Sequence, residues 1–160
     1  MAASNGQRKL GLVAFDHEIE IIGDGVEKPV VIKDQNTLHN YNQLLASGEK
    51  QAGLRMKKTI AETKDSLLQR VGQMQIKGTT ALGPAVLTSV AMASKGAPGS
   101  QVIICTDGMA NVGLGSFNMY GYGGGQDQDA MAFYDQVGLL AEQSGVMVNL
   151  ITIQGAEANI

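Results

Sequence analysis

Between residues 58 and 153 the chain alternates twice between helical periodicity and a short apolar run, and this alternation constrains its fold more than any other feature. Ile60, Leu67, Leu68, Val71 and Met74 recur at helical spacing, interrupted by Lys64, and predict a helix over 58–75. A second helix begins near Pro84, whose missing amide proton costs nothing in a first turn, and presents Ala85, Val86, Val90, Ala91 and Ala93. QVIICT, residues 101–106, then reads as a strand buried on both sides, as parallel sheets require. A third helix, facing inward with Phe133, Val137, Leu140, Ala141 and Ser144, leads to an interior strand, VMVNLITI, at 146–153. Alternation of this kind predicts α/β architecture: a mostly parallel sheet with helices on both faces, wound by right-handed crossovers.

The first third has a different rhythm. KLGLVAF at 9–15 and IEII at 19–22 flank the polar triplet DHE and read as a hairpin, followed by a turn at Asp24-Gly25 and a short edge extension, PVVI. From Asn36, a candidate cap, Leu38, Tyr41, Leu44 and Leu45 mark a short helix that Gly48 would end, leaving ASGEKQAG as a loop.

One domain is expected from 160 residues, enough to bury roughly two-thirds of the extended chain's surface. With 44% apolar residues, a formal charge of −3 and no basic stripe, the composition speaks against disorder and against nucleic-acid binding. No window reaches the ~20 apolar residues of a membrane span. The lone Cys105 has no internal disulfide partner and suits a reducing compartment, so a cytoplasmic protein is expected.

Ligands of open α/β sheets bind beyond the carboxyl ends of the strands. Three segments converge there by this reading: AFDHE with Asp16 and His17, KGTTALGP with Thr79 and Thr80, and CTDGMANVGLG with Thr106 and Asp107. A threonine hydroxyl and a carboxylate from separate loops supply part of the oxygen cage of Mg²⁺, with water or a partner's carboxylate completing it. Gly108 lets the backbone turn beside Asp107. Two structural readings stand beside this one: Asp107 bonding its own loop backbone, and Thr79 or Thr80 capping the following helix. Asp107 is as well explained by the first of these as by metal binding.

GLVAFDHEIEIIGDG, GTTALGPAV and VIICTDGMANVGLG together resemble the von Willebrand factor A domain across nearly the whole of residues 1–160. They are most similar to its intracellular branch found beside circularly permuted Ras proteins, and more distantly to the trunk domain of COPII coat subunits. The resemblance implies a metal-ion-dependent adhesion site with Thr80 as the threonine ligand, Thr79 as the alternate and Asp107 as the third-loop aspartate; Asp16 is not a standard ligand and is expected to turn the hairpin. The family's Asp-x-Ser-x-Ser is absent from this sequence, which implies a partial domain lacking its first, central strand. That strand is expected to lie upstream, or to be supplied by a second chain or a swapped segment. Metal affinity in these residues alone is then weak or nil.

The expected function is a noncatalytic protein-interaction module, Mg²⁺-assisted once its site is complete, with a metal-independent scaffold of a trafficking or GTPase-linked assembly as the alternative. Met109, Asn111, Leu114, Phe117 and Tyr120 are the candidate partner-binding residues, since aromatic and methionine side chains make good interface anchors; Phe117 has folding back over the sheet as its competing use. An enzyme is not expected. There is no G-x-S-x-G and no G-x-x-x-x-G-K-[ST], His17 reads as an exposed turn, His39 has no partner in sequence, and the apolar neighbours of Cys105 predict an inert buried thiol.

Overall fold

A computed structural model describes residues 7–75, 78–117 and 125–152. Five strands and five helices follow one another as β1 (Leu12–Phe15), β2 (Ile19–Gly23), β3 (Val30–Ile32), α1 (Gln35–Leu38), α2 (Tyr41–Arg55), α3 (Ile60–Gly72), α4 (Leu82–Ala93), β4 (Gln101–Thr106), α5 (Gly125–Gln143) and β5 (Met147–Thr152). The architecture is α/β, as the alternation of periods predicts.

The strands form two sheets rather than one. β1, β2 and β3 make an antiparallel meander, Phe15 opposite Ile19 and Ile21 opposite Val30, while β4 and β5 pair in parallel from Gln101–Met147 to Thr106–Thr152. The expectation of a mostly parallel sheet is therefore corrected. Short polar turns close the first three strands into hairpins, and among the described strand pairs only β4 and β5, joined through α5, run parallel. β1 and β4, the inner edges of the two sheets, are not paired with each other.

α4 joins the halves. It packs against both β1 and β4, against α2 on one side and α5 on the other. Leu87 and Val90 are wholly buried in a continuous core with Ile19 and Ile21 of β2, Leu44 of α2, Ile104 of β4 and Val137 of α5. Burying side chains of this size contributes about 1.5–3 kcal/mol apiece before ordering costs are subtracted.

Gly48 does not end a helix. The chain starts α1 at an Asp34 cap and restarts at Asn40, whose side-chain oxygen accepts the Gln43 amide proton at 3.0 Å, and α2 then runs through the stretch expected to be a loop. Gly48 is buried where α2 crosses α4: a Cβ there would lie 2.5 Å from the Thr88 carbonyl oxygen and 2.7 Å from the Ala91 methyl. Packing overrides a propensity cost of about 1 kcal/mol.

The helices do not cover both faces of the β4–β5 pair among the described residues. Val102, Ile104 and Thr106 point into the core, but Ile103 is 61% exposed and Cys105 is exposed beside it, contrary to the expected two-sided burial and inert thiol. Every residue of β5 is exposed, so it is not an interior strand. α3 follows its predicted span but buries only Thr63 and Leu67, with Leu68, Val71 and Met74 open to solvent. No helix among the described residues is long and apolar enough to cross a membrane.

Candidate functional site

Asp24 anchors the turn that ends the first hairpin. Its carboxylate is 2% exposed and accepts amide protons from Lys57 and Lys58 at 3.0 Å each and from Val26 at 3.2 Å, while its own amide donates to the Arg55 carbonyl at 2.7 Å. The turn itself was legible in Asp24-Gly25, but not its grip on the α2–α3 connection. That fixes β2 against the helical layer and, through β1, sets the position of Asp16.

Three loops meet at the carboxyl ends of β1 and β4. The Asp16 carbonyl accepts the Ala81 amide proton at 2.6 Å. Asn111 reaches back from the loop after β4, its side-chain oxygen accepting the Thr80 amide proton at 2.7 Å, and the Thr80 carbonyl takes the amide protons of Asn111 at 3.0 Å and Val112 at 3.3 Å. Gly108 lies directly under the Thr80 side chain, where a Cβ would be 2.9 Å from the hydroxyl oxygen. The threonine loop and the aspartate loop are thus interlocked, on one side of the molecule.

Neither competing structural role falls to the candidate ligands. α4 has Ala81 at its N-cap with no side-chain capping bond, so Thr79 and Thr80 do not cap it. Thr106, not Asp107, closes the turn: its hydroxyl donates to the Gly108 carbonyl at 3.1 Å and accepts the Gly108 amide proton at 3.3 Å. Among the described residues, the Thr80 hydroxyl and the Asp107 carboxylate have no hydrogen-bond partner, and Asp107 is exposed. A hydroxyl and a carboxylate are oxygen donors of the type a hard cation takes while keeping much of its water.

Asp16 turns the hairpin, as expected. Its carboxylate accepts the Glu18 amide proton at 3.0 Å, its own amide donates to the Glu18 carbonyl at 3.0 Å, and His17 Nδ1 lies 2.8 Å from its carboxylate. The turn folds one polar atom each from Asp16, His17 and Glu18 to within 4.8 Å of one another, with the His17 side chain 53% exposed.

The loop after Asp107 is held down along its described length. Leu114 donates its amide proton to the Leu38 carbonyl at 3.0 Å, and Gly113, at φ +77°, passes so close to Pro84 and Leu38 that a Cβ would meet both. Phe117 folds back and stacks on Tyr134, ring centres 6.1 Å apart and planes 10° from parallel; Phe133 meets Tyr134 edge-on at 5.1 Å and Tyr41 at 6.3 Å. Burial in this aromatic cluster pushes the Tyr134 phenol up to about 12. Met109 is 56% exposed, Asn111 is exposed, and Leu114 and Phe117 are half-buried; Tyr120 lies outside the described residues. Sequence reasoning placed Asn111 at a partner surface and missed its inward task, which only the fold, bringing Thr80 alongside, reveals.

No family model matches the chain. Over 155 residues, 96% of its length, it is 32% identical to Circularly permutated Ras protein 1 of Dictyostelium discoideum, and it spans 18% of the length of that protein.

Proposed function

We propose that this chain is a noncatalytic protein-interaction module of the von Willebrand A type, which binds a partner at the carboxyl edge of β1 and β4 with a Mg²⁺ ion held between Thr80 and Asp107. One observation carries the reading: two oxygen-bearing side chains on interlocked loops have no hydrogen-bond partner among the described residues, while Asn111 and Thr106 do the structural bonding around them. The similarity to a circularly permutated Ras protein agrees with the branch that the sequence motifs resemble.

The ion would rest on the Thr80 hydroxyl and the Asp107 carboxylate, with water and a partner's carboxylate in the remaining positions, and would supply electrostatic attraction for an acidic group. The residues of this chain fix the two loops and leave the site open to solvent. Calorimetric titration with Mg²⁺ and Mn²⁺ tests this, using wild type, Thr80→Ala and Asp107→Ala. A weak heat in wild type that vanishes in both variants is expected; equal heats in all three remove the site assignment.

The second reading is a metal-independent scaffold in a GTPase-linked assembly, resident in the cytoplasm. It draws on the bare apolar side chains of Ile103, Met147 and Ile151, exposed on one face of the β4–β5 pair, of the kind interfaces cover. Partner capture unchanged by chelator and by Asp107→Ala favours it.

A further inference from the structure

The sequence contains two Asp-Gly pairs, Asp24-Gly25 and Asp107-Gly108, and the fold treats them oppositely. Asp24 is 2% exposed, and its carboxylate oxygens take the amide protons of Val26, Lys57 and Lys58. Asp107 is exposed in the bend after β4, and its carboxylate has no hydrogen-bond partner among the described residues.

An aspartate followed by glycine is open to attack by its own backbone. The glycine amide nitrogen bonds to the side-chain carbonyl carbon, a C–O bond there breaks, and the hydroxyl leaves as water with the amide proton, closing a succinimide ring. Water then reopens the ring. Addition at the side-chain carbonyl restores aspartate; addition at the main-chain carbonyl gives isoaspartate, in which the backbone runs through Cβ. Water is the only co-reactant, and glycine favours the step because no Cβ obstructs the approach of its nitrogen.

At Asp24 the side chain cannot turn towards the Gly25 nitrogen without releasing three amides, and the Gly25 amide itself is directed at the Ile22 carbonyl, 3.4 Å away. At Asp107 the restraint is Thr106, whose hydroxyl accepts the Gly108 amide proton at 3.3 Å and donates to the Gly108 carbonyl at 3.1 Å. The first of these is longer than the usual range of about 2.7–3.2 Å. The glycine is not replaceable either: a Cβ at residue 108 would stand 2.9 Å from the Thr80 hydroxyl oxygen. Close packing of the threonine loop therefore requires the residue type that leaves Asp107 open to attack.

We propose that Asp107-Gly108 is a site of spontaneous isoaspartate formation in the folded protein, restrained by the Thr106 hydroxyl, and that Asp24-Gly25 is protected. The chemistry needs no ion and stands whether or not Asp107 holds one. Conversion adds a methylene to the backbone between Asp107 and Gly108 and leaves the carboxylate directly on Cα. Gly108 is thereby displaced from Thr80 and Thr106, and the interlock of the two loops loosens.

The test incubates the folded chain at neutral pH and physiological temperature, with reductant for Cys105 and a chelator. Samples are digested at intervals with Asp-N protease, which cuts before aspartate and not before isoaspartate, and the fragments are assigned by mass spectrometry. Assignment by fragment keeps Asn5-Gly6 separate, a pair that reaches the same product by losing ammonia. Cleavage at Asp107 is expected to be lost at least tenfold faster than at Asp24, and the two rates to come within about twofold of each other in urea. Thr106→Val, nearly isosteric but without the hydroxyl, speeds the loss at Asp107 at least threefold; Thr106→Ala takes its place if the valine variant does not fold. Thr106→Ser, which keeps the hydroxyl, ages as wild type. Equal rates at Asp24 and Asp107 in the folded protein, or conversion of Asp107 only in urea, overturn the assignment. An unchanged rate without the Thr106 hydroxyl overturns its role as the restraint.

Discussion

Asn111 and Thr80 hold each other by two hydrogen bonds, side-chain oxygen to amide at 2.7 Å and amide to carbonyl at 3.0 Å, across 31 residues of chain. Asn111→Ala removes the first and frees the threonine loop. A loss of about 0.5–1.5 kcal/mol is expected in urea unfolding, the net value of one bond in an exposed loop. Faster hydrogen exchange at Thr80 accompanies it, and any Mg²⁺ affinity falls although Asn111 is no ligand. Asn111→Asp, which keeps an acceptor oxygen, restores most of the stability.

Gly48 and Gly53 lie on the same helix and respond oppositely to alanine. A Cβ at Gly48 collides with the Thr88 carbonyl and the Ala91 methyl, whereas one at Gly53 meets nothing within 4 Å. Overpacking costs about 1–3 kcal/mol, more than the ~1 kcal/mol of helix propensity that alanine returns. Gly48→Ala is therefore expected to lower the urea midpoint and Gly53→Ala to raise it by the equivalent of about 0.5–1 kcal/mol.

Asp24→Ala leaves the amides of Val26, Lys57 and Lys58 without their acceptor in a closed turn. Bonds to a charged group contribute about 1.5–3 kcal/mol, so a loss of about 3 kcal/mol is expected by thermal or urea unfolding. Asp24→Asn, retaining one oxygen acceptor, loses roughly half as much.

Tyr134 gives the protein an alkaline signature. Its phenol titrates at about 12 in the folded state because burial disfavours the phenolate, against roughly 10 when unfolded. The folded state holds the proton more tightly, so this contribution to stability is fully present below pH ~10 and is lost as pH rises towards 12. A spectrophotometric phenolate titration is expected to show a late component near pH 12 that is absent from Tyr134→Phe. At neutral pH that variant retains near wild-type stability, since the Tyr134 hydroxyl is buried with no partner among the described residues.

The helices of the second half were legible because their apolar positions face one continuous core: Phe133, Val137 and Ala141 are all buried at the predicted spacing. What could not be read was burial that depends on neighbours. QVIICT is apolar throughout, yet Ile103 and Cys105 face outward, because no described helix covers that side of β4. Gly48 carries the same local signal as a helix stop, and only the approach of α4 distinguishes a crossing point from an end. At the edge of the sheets the residue types TT and TDG were visible, and so was the convergence that strand topology imposes. The division of labour was not: Thr106 and Asn111 bond the loops, while the Thr80 hydroxyl and Asp107 carboxylate have no partner among the described residues.

The outward-facing Cys105 has a practical corollary. A lone thiol in a bare apolar surface meets its counterpart whenever two molecules collide there, and aerobic storage converts such encounters into covalent pairs. A dimer band that appears on aerobic storage and disappears with reductant is the expected outcome.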